Sequence, residues 1–114
     1  MQIDMSQTFA RADGEPIYGP ITKEGEEKNP LSLGVACVIA LESPVGMDEV
    51  HKNPKLNAGI VACERWNIAR RIQNADGPVE ISTEEITMVK QLISIAWGVA
   101  VVGQAFPMLE GNTQ

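Results

Sequence analysis

The sequence predicts a mainly α-helical fold of the α+β class, with an N-terminal β-hairpin followed by a bundle of three to four helices. Apolar residues make up 44% of the 114 residues and aromatic residues only 4%, which is typical of a globular chain with an aliphatic core. Apolar side chains recur at helical spacing over most of residues 31–114, whereas residues 1–18 hold spaced apolar residues around a turn. A chain of this length builds one modest core, so we expect a single domain.

The predicted hairpin covers residues 2–18, in which Ile3, Met5 and Phe9 are the spaced apolar residues. Its turn is "ADGEP", with Asp13-Gly14 at the tip. Residues 19–30, "GPITKEGEEKNP", are rich in Gly, Pro and acidic residues and predict a solvated loop.

The first predicted helix spans residues 32–43, with Ser32 as its cap and Pro44 as its stop. Its interior, "LSLGVACVIALES", is apolar on nearly every side, so we expect it at the centre of the fold. A loop over 44–53 follows and carries His51, the only histidine. A single histidine in a polar loop is typical of a surface residue.

The second predicted helix runs from Pro54 to Ala75, and Arg65 lies in the middle of its apolar face. Buried arginine is usually paired, so we expect Arg65 to form an ion pair, with Glu84 or Glu85 as partner. The alternative is an anion or ligand site around Arg65. On the opposite side of the helix we expect a smaller apolar patch, made of Leu56, Ile60 and Cys63.

"NADGPVEISTEE", residues 74–85, has some features of a calcium loop but lacks two of the ligands that such a loop needs. With Gly77 at the sixth position, the first position falls on Ile72 and the twelfth on Thr83, so we expect no metal site. We interpret Asp76-Gly77-Pro78 as the stop of the second helix, with glycine as a left-handed cap. "VEI" then predicts a short extended piece.

The third predicted helix runs from Thr83 to Trp97, and Ser82 and Glu85 form its capping box. A fourth helix, "VAVVGQAFPMLE", is interrupted by Gly103 and Pro107.

No charged residue occurs between positions 91 and 109, which leaves three interpretations of this stretch. A membrane span is disfavoured because the stretch contains two Gln, a Ser, two Gly and a Pro. It is either the central helical hairpin of the core or partly an interface between copies of the chain. We expect a homo-oligomer with the interface residues Val99, Val102, Phe106 and Met108.

The remaining bulk properties exclude several classes of function. The formal charge is −6, and Arg65, Arg70 and Arg71 point to different sides of their helix, which disfavours nucleic acid as a partner. Cys37 and Cys63 lie on separate predicted helices, and we expect two reduced, buried thiols rather than a disulfide. The N-terminal residues lack the basic start and apolar core of a signal peptide, so we expect a cytoplasmic protein.

Five motifs, taken in order, resemble short proteins encoded by tailed phages and prophages. They are "DGEPI" at 13–17, "PLSLG" at 30–34, "RWNIARRI" at 65–72, "VEISTEEI" at 79–86 and "VVGQAFPMLE" at 101–110. The resemblance implies a phage setting and no particular activity or cofactor.

We find no convergent set of nucleophile, base and acid, and no Gly-rich phosphate loop, so an enzyme is disfavoured. Two kinds of interaction protein remain: a virion or tail-assembly component, and an inhibitor of a host or defence protein.

Overall fold

The computed structural model describes residues 2–19, 30–44 and 47–111, and over these residues the chain is mainly helical. The predicted class, a helical bundle with a small N-terminal β element, is confirmed. Most of the predicted loop 19–30 lies outside the described residues. The elements in chain order are β1 (Gln2–Ile3), α1 (Leu33–Glu42), α2 (Met47–Lys52), α3 (Ala58–Gln73), β2 (Val79–Glu80), α4 (Thr83–Ala96) and α5 (Val99–Leu109).

Helix α1 is the central element, as its apolar sequence predicts. The Ser32 hydroxyl caps it by accepting a hydrogen bond from the Val35 N–H at 3.2 Å. Helices α3 and α4 both pack on α1, and α5 packs on α4. Small residues let the neighbours approach closely: a Cβ added at Gly34 would lie 3.2 Å from both the Cβ and the carbonyl oxygen of Met5.

The N-terminal segment differs from a simple hairpin. Its turn is confirmed, because Gly14 has a φ of 90° and the Arg11 N–H donates to the Glu15 carbonyl at 2.7 Å. The regular strand β1, however, pairs antiparallel with β2, so that Gln2 faces Glu80. The extended piece predicted for "VEI" thus supplies the partner strand.

The segment around Leu31, just before α1, forms backbone hydrogen bonds with both sides of the turn region. The Phe9 N–H donates to the Leu31 carbonyl, the Leu31 N–H to the Ile17 carbonyl, and the Ile17 N–H to the Phe9 carbonyl. Phe9 and Leu31 are almost fully buried. These three segments therefore satisfy one another's backbone groups in a small ring that covers one side of the core.

The region before α3 contains a helix where a loop is predicted. Residues Met47–Lys52 form α2, and the exposed His51 lies on it. Helix α3 begins later than the predicted Pro54, because the Asn57 side chain caps it by accepting from the Ile60 N–H at 3.1 Å. An Asn53 turn occupies the residues between the two helices.

The ends of α3 and the start of α4 follow local sequence signals with one exception. The predicted capping box of Ser82 and Glu85 is present. Helix α3 ends at Gln73, and the N–H of its cap residue Asn74 donates to the Arg70 and Ile72 carbonyls. Gly77 has no positive φ, so the predicted left-handed glycine cap is wrong. The extended backbone at Trp97 separates α4 from α5.

Helix α5 runs through Pro107 without a break. The N–H that Pro107 lacks would have bonded to the carbonyl of Gly103, four residues earlier, so the helix loses one hydrogen bond near its C-terminal end. In the described parts of the chain, every helix is too short or too polar to cross a lipid bilayer.

Candidate functional site

Arg65 is buried, with only 4% of its surface exposed, in the middle of the core-facing side of α3. Its Nε donates to the Leu41 carbonyl at 3.1 Å, and its Nη2 donates to the Ala40 and Ser43 carbonyls at 3.0 and 2.6 Å. Carbonyls at the end of a helix carry a partial negative charge and have no partner in the helix itself. The guanidinium therefore caps the C-terminus of α1 from a neighbouring helix. Burial lowers the pKa of Arg65, although an arginine remains charged.

The predicted ion pair of Arg65 with Glu84 or Glu85 is wrong. The Glu85 carboxylate accepts from Arg71 Nη1 at 2.8 Å and from the Ser82 N–H at 2.9 Å. The hydrogen bond from Arg71 lowers the pKa of Glu85, and the same bond raises the pKa of Arg71. The reason is position along the helix, because the start of α4 lies beside the end of α3 and not beside its middle. Glu84 is exposed.

An open groove runs between α3 and α4. These helices are antiparallel, since Arg71 at the end of α3 pairs with Glu85 at the start of α4, while Val61 near the start of α3 lines the same cavity as Ile95 near the end of α4. Both pack on α1, yet they make few direct contacts with each other. We call the open space between them the α3–α4 groove. It is lined on the α3 side by Val61, Glu64, Ile68 and Arg71, and on the α4 side by Glu84, Met88, Gln91 and Ile95.

The two ends of the α3–α4 groove differ in chemistry. Its apolar end has a volume of about 430 Å³ and is lined by Val50, Leu56 and Ile95 among others. Ile95 is 62% exposed there, next to the exposed Leu56. The acidic end has a volume of about 450 Å³ and exposes Glu64 and Glu84. Met88 lines both volumes, so the two ends adjoin at this side chain.

The α3–α4 groove was not predicted from the sequence, although two signals for it exist. The sequence predicts an apolar patch of Leu56, Ile60 and Cys63 on the outer side of the helix, and Leu56 of this patch lines the groove. Ile95 widens the apolar stripe of the third predicted helix beyond what one neighbouring helix can cover. An amphipathic stripe wider than its packing partner is therefore the pattern that indicates this site.

The four residues predicted for a self-association interface occupy different environments. Val99 is 90% exposed, while Val102 and Phe106 are half-buried. Met108 is only 2% exposed and belongs to the core, so its assignment to an interface is wrong. Lys90 Nζ lies 5.4 Å from the centre of the Phe106 ring and covers part of it. The uncharged C-terminal stretch thus supplies buried residues such as Met108 to the core and also exposes residues such as Val99.

The other candidate residues for chemistry lie apart from one another. Cys37 is buried, and burial raises the pKa of its thiol to about 12, so it is protonated and inert at neutral pH. Cys63 is exposed on α3, and the prediction of a buried thiol is wrong for it. Over residues 2–19, 30–44 and 47–111, no cluster of three or more His, Cys, Asp and Glu side chains is suited to hold a metal ion.

Comparisons of the chain with protein-family models, with curated proteins and with solved structures found no match. The candidate site is therefore defined by its own geometry.

Proposed function

We propose that this chain is a non-enzymatic phage protein that acts by binding another protein, as a virion or tail-assembly component. The observation that supports the proposal is the α3–α4 groove, in which large aliphatic side chains such as Leu56 and Ile95 are exposed. Contiguous exposed apolar surface on a small protein usually marks a contact site for another molecule. The phage setting rests on the order of the five motifs from "DGEPI" to "VVGQAFPMLE". In this proposal the chain acts in the cytoplasm of the host cell or within the virion.

The proposal is tested by photo-crosslinking in cells that carry the phage genome. A photoreactive amino acid replaces Ile95 in the groove, and a second variant carries it at Thr87, which is exposed on the same helix. We expect a specific crosslink from position 95 that is absent from position 87, with a virion or tail protein identified by mass spectrometry.

Three outcomes each contradict one part of the proposal. A host or defence protein crosslinked at position 95 would replace the assembly role with an inhibitory role. Equal labelling from both positions would show that the groove is not a contact site. Enzymatic turnover of a small molecule by the purified chain would refute the non-enzymatic assignment.

A further inference from the structure

We propose that the α3–α4 groove receives an amphipathic helix of a different protein, with basic residues at the end that lies over Glu64 and Glu84. This inference rests on the proposed function, that the chain binds a protein, and it adds the surface and the chemistry of the partner.

The spacing of the lining residues fits a helix. On α4 the lining positions are 84, 85, 88, 91, 92, 94 and 95, and on α3 they are 61, 64, 65, 67, 68 and 71. Each set contains one run at steps of three and four, 84, 88, 91 and 95 on α4 and 61, 64, 68 and 71 on α3. Alternating steps of three and four residues keep side chains on one helical face, as in the seam of a helical bundle. The two antiparallel helices pack on α1 and leave a groove between their outer faces. One more helix of a bundle could occupy this groove.

The length of the groove sets the length of the partner segment. Glu84 and Ile95 lie at the two ends of the α4 lining, and a helix rises 1.5 Å per residue, so the groove is about 17 Å long. A partner helix of about three turns fills it, with apolar anchors one turn apart. Its first anchors would contact Leu56 and Ile95 at the apolar end.

The acidic end of the groove determines which charge the partner helix carries and which of its ends lies there. Arg71 is engaged by Glu85 at 2.8 Å, which leaves the exposed carboxylates of Glu64 and Glu84 as the excess charge at the acidic end. A Lys or Arg of the partner at this end gains complementary charge, and the net charge of −6 on the whole chain attracts a basic segment from a distance. The same charge opposes a second copy of this chain as the occupant.

Arg65 does not compete for the partner, although it lines the apolar end of the groove. Its guanidinium donates to three carbonyls at the end of α1. Its positive charge is therefore directed towards α1, and the floor of the groove at this point is the side chain's apolar stem.

The test is selection of peptides by the purified full chain from a displayed random library of about 16 residues, long enough for the required turns. We expect the selected peptides to share apolar residues at spacings of three and four and Lys or Arg at one end. Ile95→Glu should weaken their binding at least about tenfold. The double variant Glu64→Lys, Glu84→Lys should weaken binding at low salt and lose most of that effect at high salt.

The controls lie outside the groove. Ile60→Glu changes an equally exposed apolar residue of α3, and Glu42→Lys reverses an exposed acid at the end of α1. Both should bind the selected peptides within about twofold of the parent. Leu56→Glu, at a second exposed position of the apolar end, repeats the test of Ile95→Glu, and far-ultraviolet circular dichroism confirms that each variant keeps its helices.

Three results would overturn the inference. The selected peptides could lack the helical spacing or the basic end, or their binding could be unchanged by the groove variants. The third result is a dimer of the chain in light scattering that Ile95→Glu dissociates. The last would make a second copy the occupant. The crosslinking experiment separates failure of this inference from failure of the proposed function. A partner that binds through another surface would refute the helix-binding groove and leave the protein-binding role intact.

Discussion

Removal of the Arg65 side chain should destabilise the protein strongly, because it is the polar connection between α3 and the end of α1. Three carbonyls, those of Ala40, Leu41 and Ser43, accept hydrogen bonds from its guanidinium at 2.6 to 3.1 Å. A hydrogen bond to a charged group contributes about 1.5–3 kcal/mol. The three do not add in full, since burial of the guanidinium costs solvation and a shortened side chain leaves room for water.

We therefore expect Arg65→Ala to lower the free energy of unfolding by about 3 kcal/mol. For a chain of this size the melting temperature should fall by about 10–20 °C. Urea denaturation followed by circular dichroism measures the first quantity, and differential scanning calorimetry measures the second. Arg65→Lys should lie between the parent and Arg65→Ala, because an ammonium keeps the charge but cannot span several carbonyls as the planar guanidinium does.

Arg70→Ala is the matched control, since Arg70 is exposed on the same helix. It should change the free energy of unfolding by less than about 0.5 kcal/mol. If Arg65→Ala unfolds within that same margin of the parent, the interpretation of Arg65 as a helix cap is refuted. If it is equally stable and no longer binds the partner, the alternative of a ligand site at Arg65 gains support instead.

Four further predictions concern other parts of the chain. The lowered pKa of Glu85 means that its pair with Arg71 stabilises the fold above the ordinary pKa of glutamate, and that this stabilisation is lost as pH falls below it. The urea midpoint should therefore change less between about pH 7 and about pH 3 in Arg71→Gln than in the parent. An equal change in both proteins would contradict this. Gln104 accepts from the Ala10 N–H at 3.0 Å and donates to the Ala10 carbonyl at 2.6 Å, so Gln104→Ala should cost about 1–2 kcal/mol and speed hydrogen exchange of the Ala10 amide; unchanged exchange would refute it. If the chain self-associates through its C-terminal helix, Val99→Glu should dissociate the oligomer with helix content retained, and a strict monomer in light scattering at high micromolar concentration would end the hypothesis. Thermal melts with calcium and with a chelator should coincide, and a shift of several degrees would reveal a metal site.

Signals that act within a few residues were predicted well from the sequence. The capping box of Ser82 and Glu85, the Ser32 cap and the turn at Asp13-Gly14 each depend on side chains and backbone groups that are neighbours in the chain. The central place of α1 also follows directly, because a helix that is apolar on nearly every side buries most of its surface against other elements, although Val35 stays 42% exposed.

Features that depend on the relative position of helices were not predictable in this way. The sequence places Arg65 on a buried face, but which group it meets depends on how α3 lies along α1 and α4. Helix α2, "MDEVHK", is too short for its apolar residues to form a stripe that predicts a helix. Asn53 and Asn57 are equally good caps for the next helix. Gly77 follows Asn74, the cap residue of α3, so its conformational freedom is not needed there.

The α3–α4 groove is a consequence of how this core is built. Helix α1 contains small buried residues, among them Gly34, Ala36 and Ala40, and both α3 and α4 pack on it. The two outer helices direct their buried faces to α1, while α2 packs on α3, and α5 packs on α4 and bonds to Ala10. Among the described elements none lies over the space between α3 and α4, so aliphatic residues such as Ile95 remain exposed beside it. If the groove is only solvent-exposed surface, polar residues at positions 56 and 95 lose no packing, and Ile95→Ser leaves both stability and partner binding unchanged. If Ile95→Ser weakens partner binding while the stability stays the same, these side chains take part in recognition of the partner.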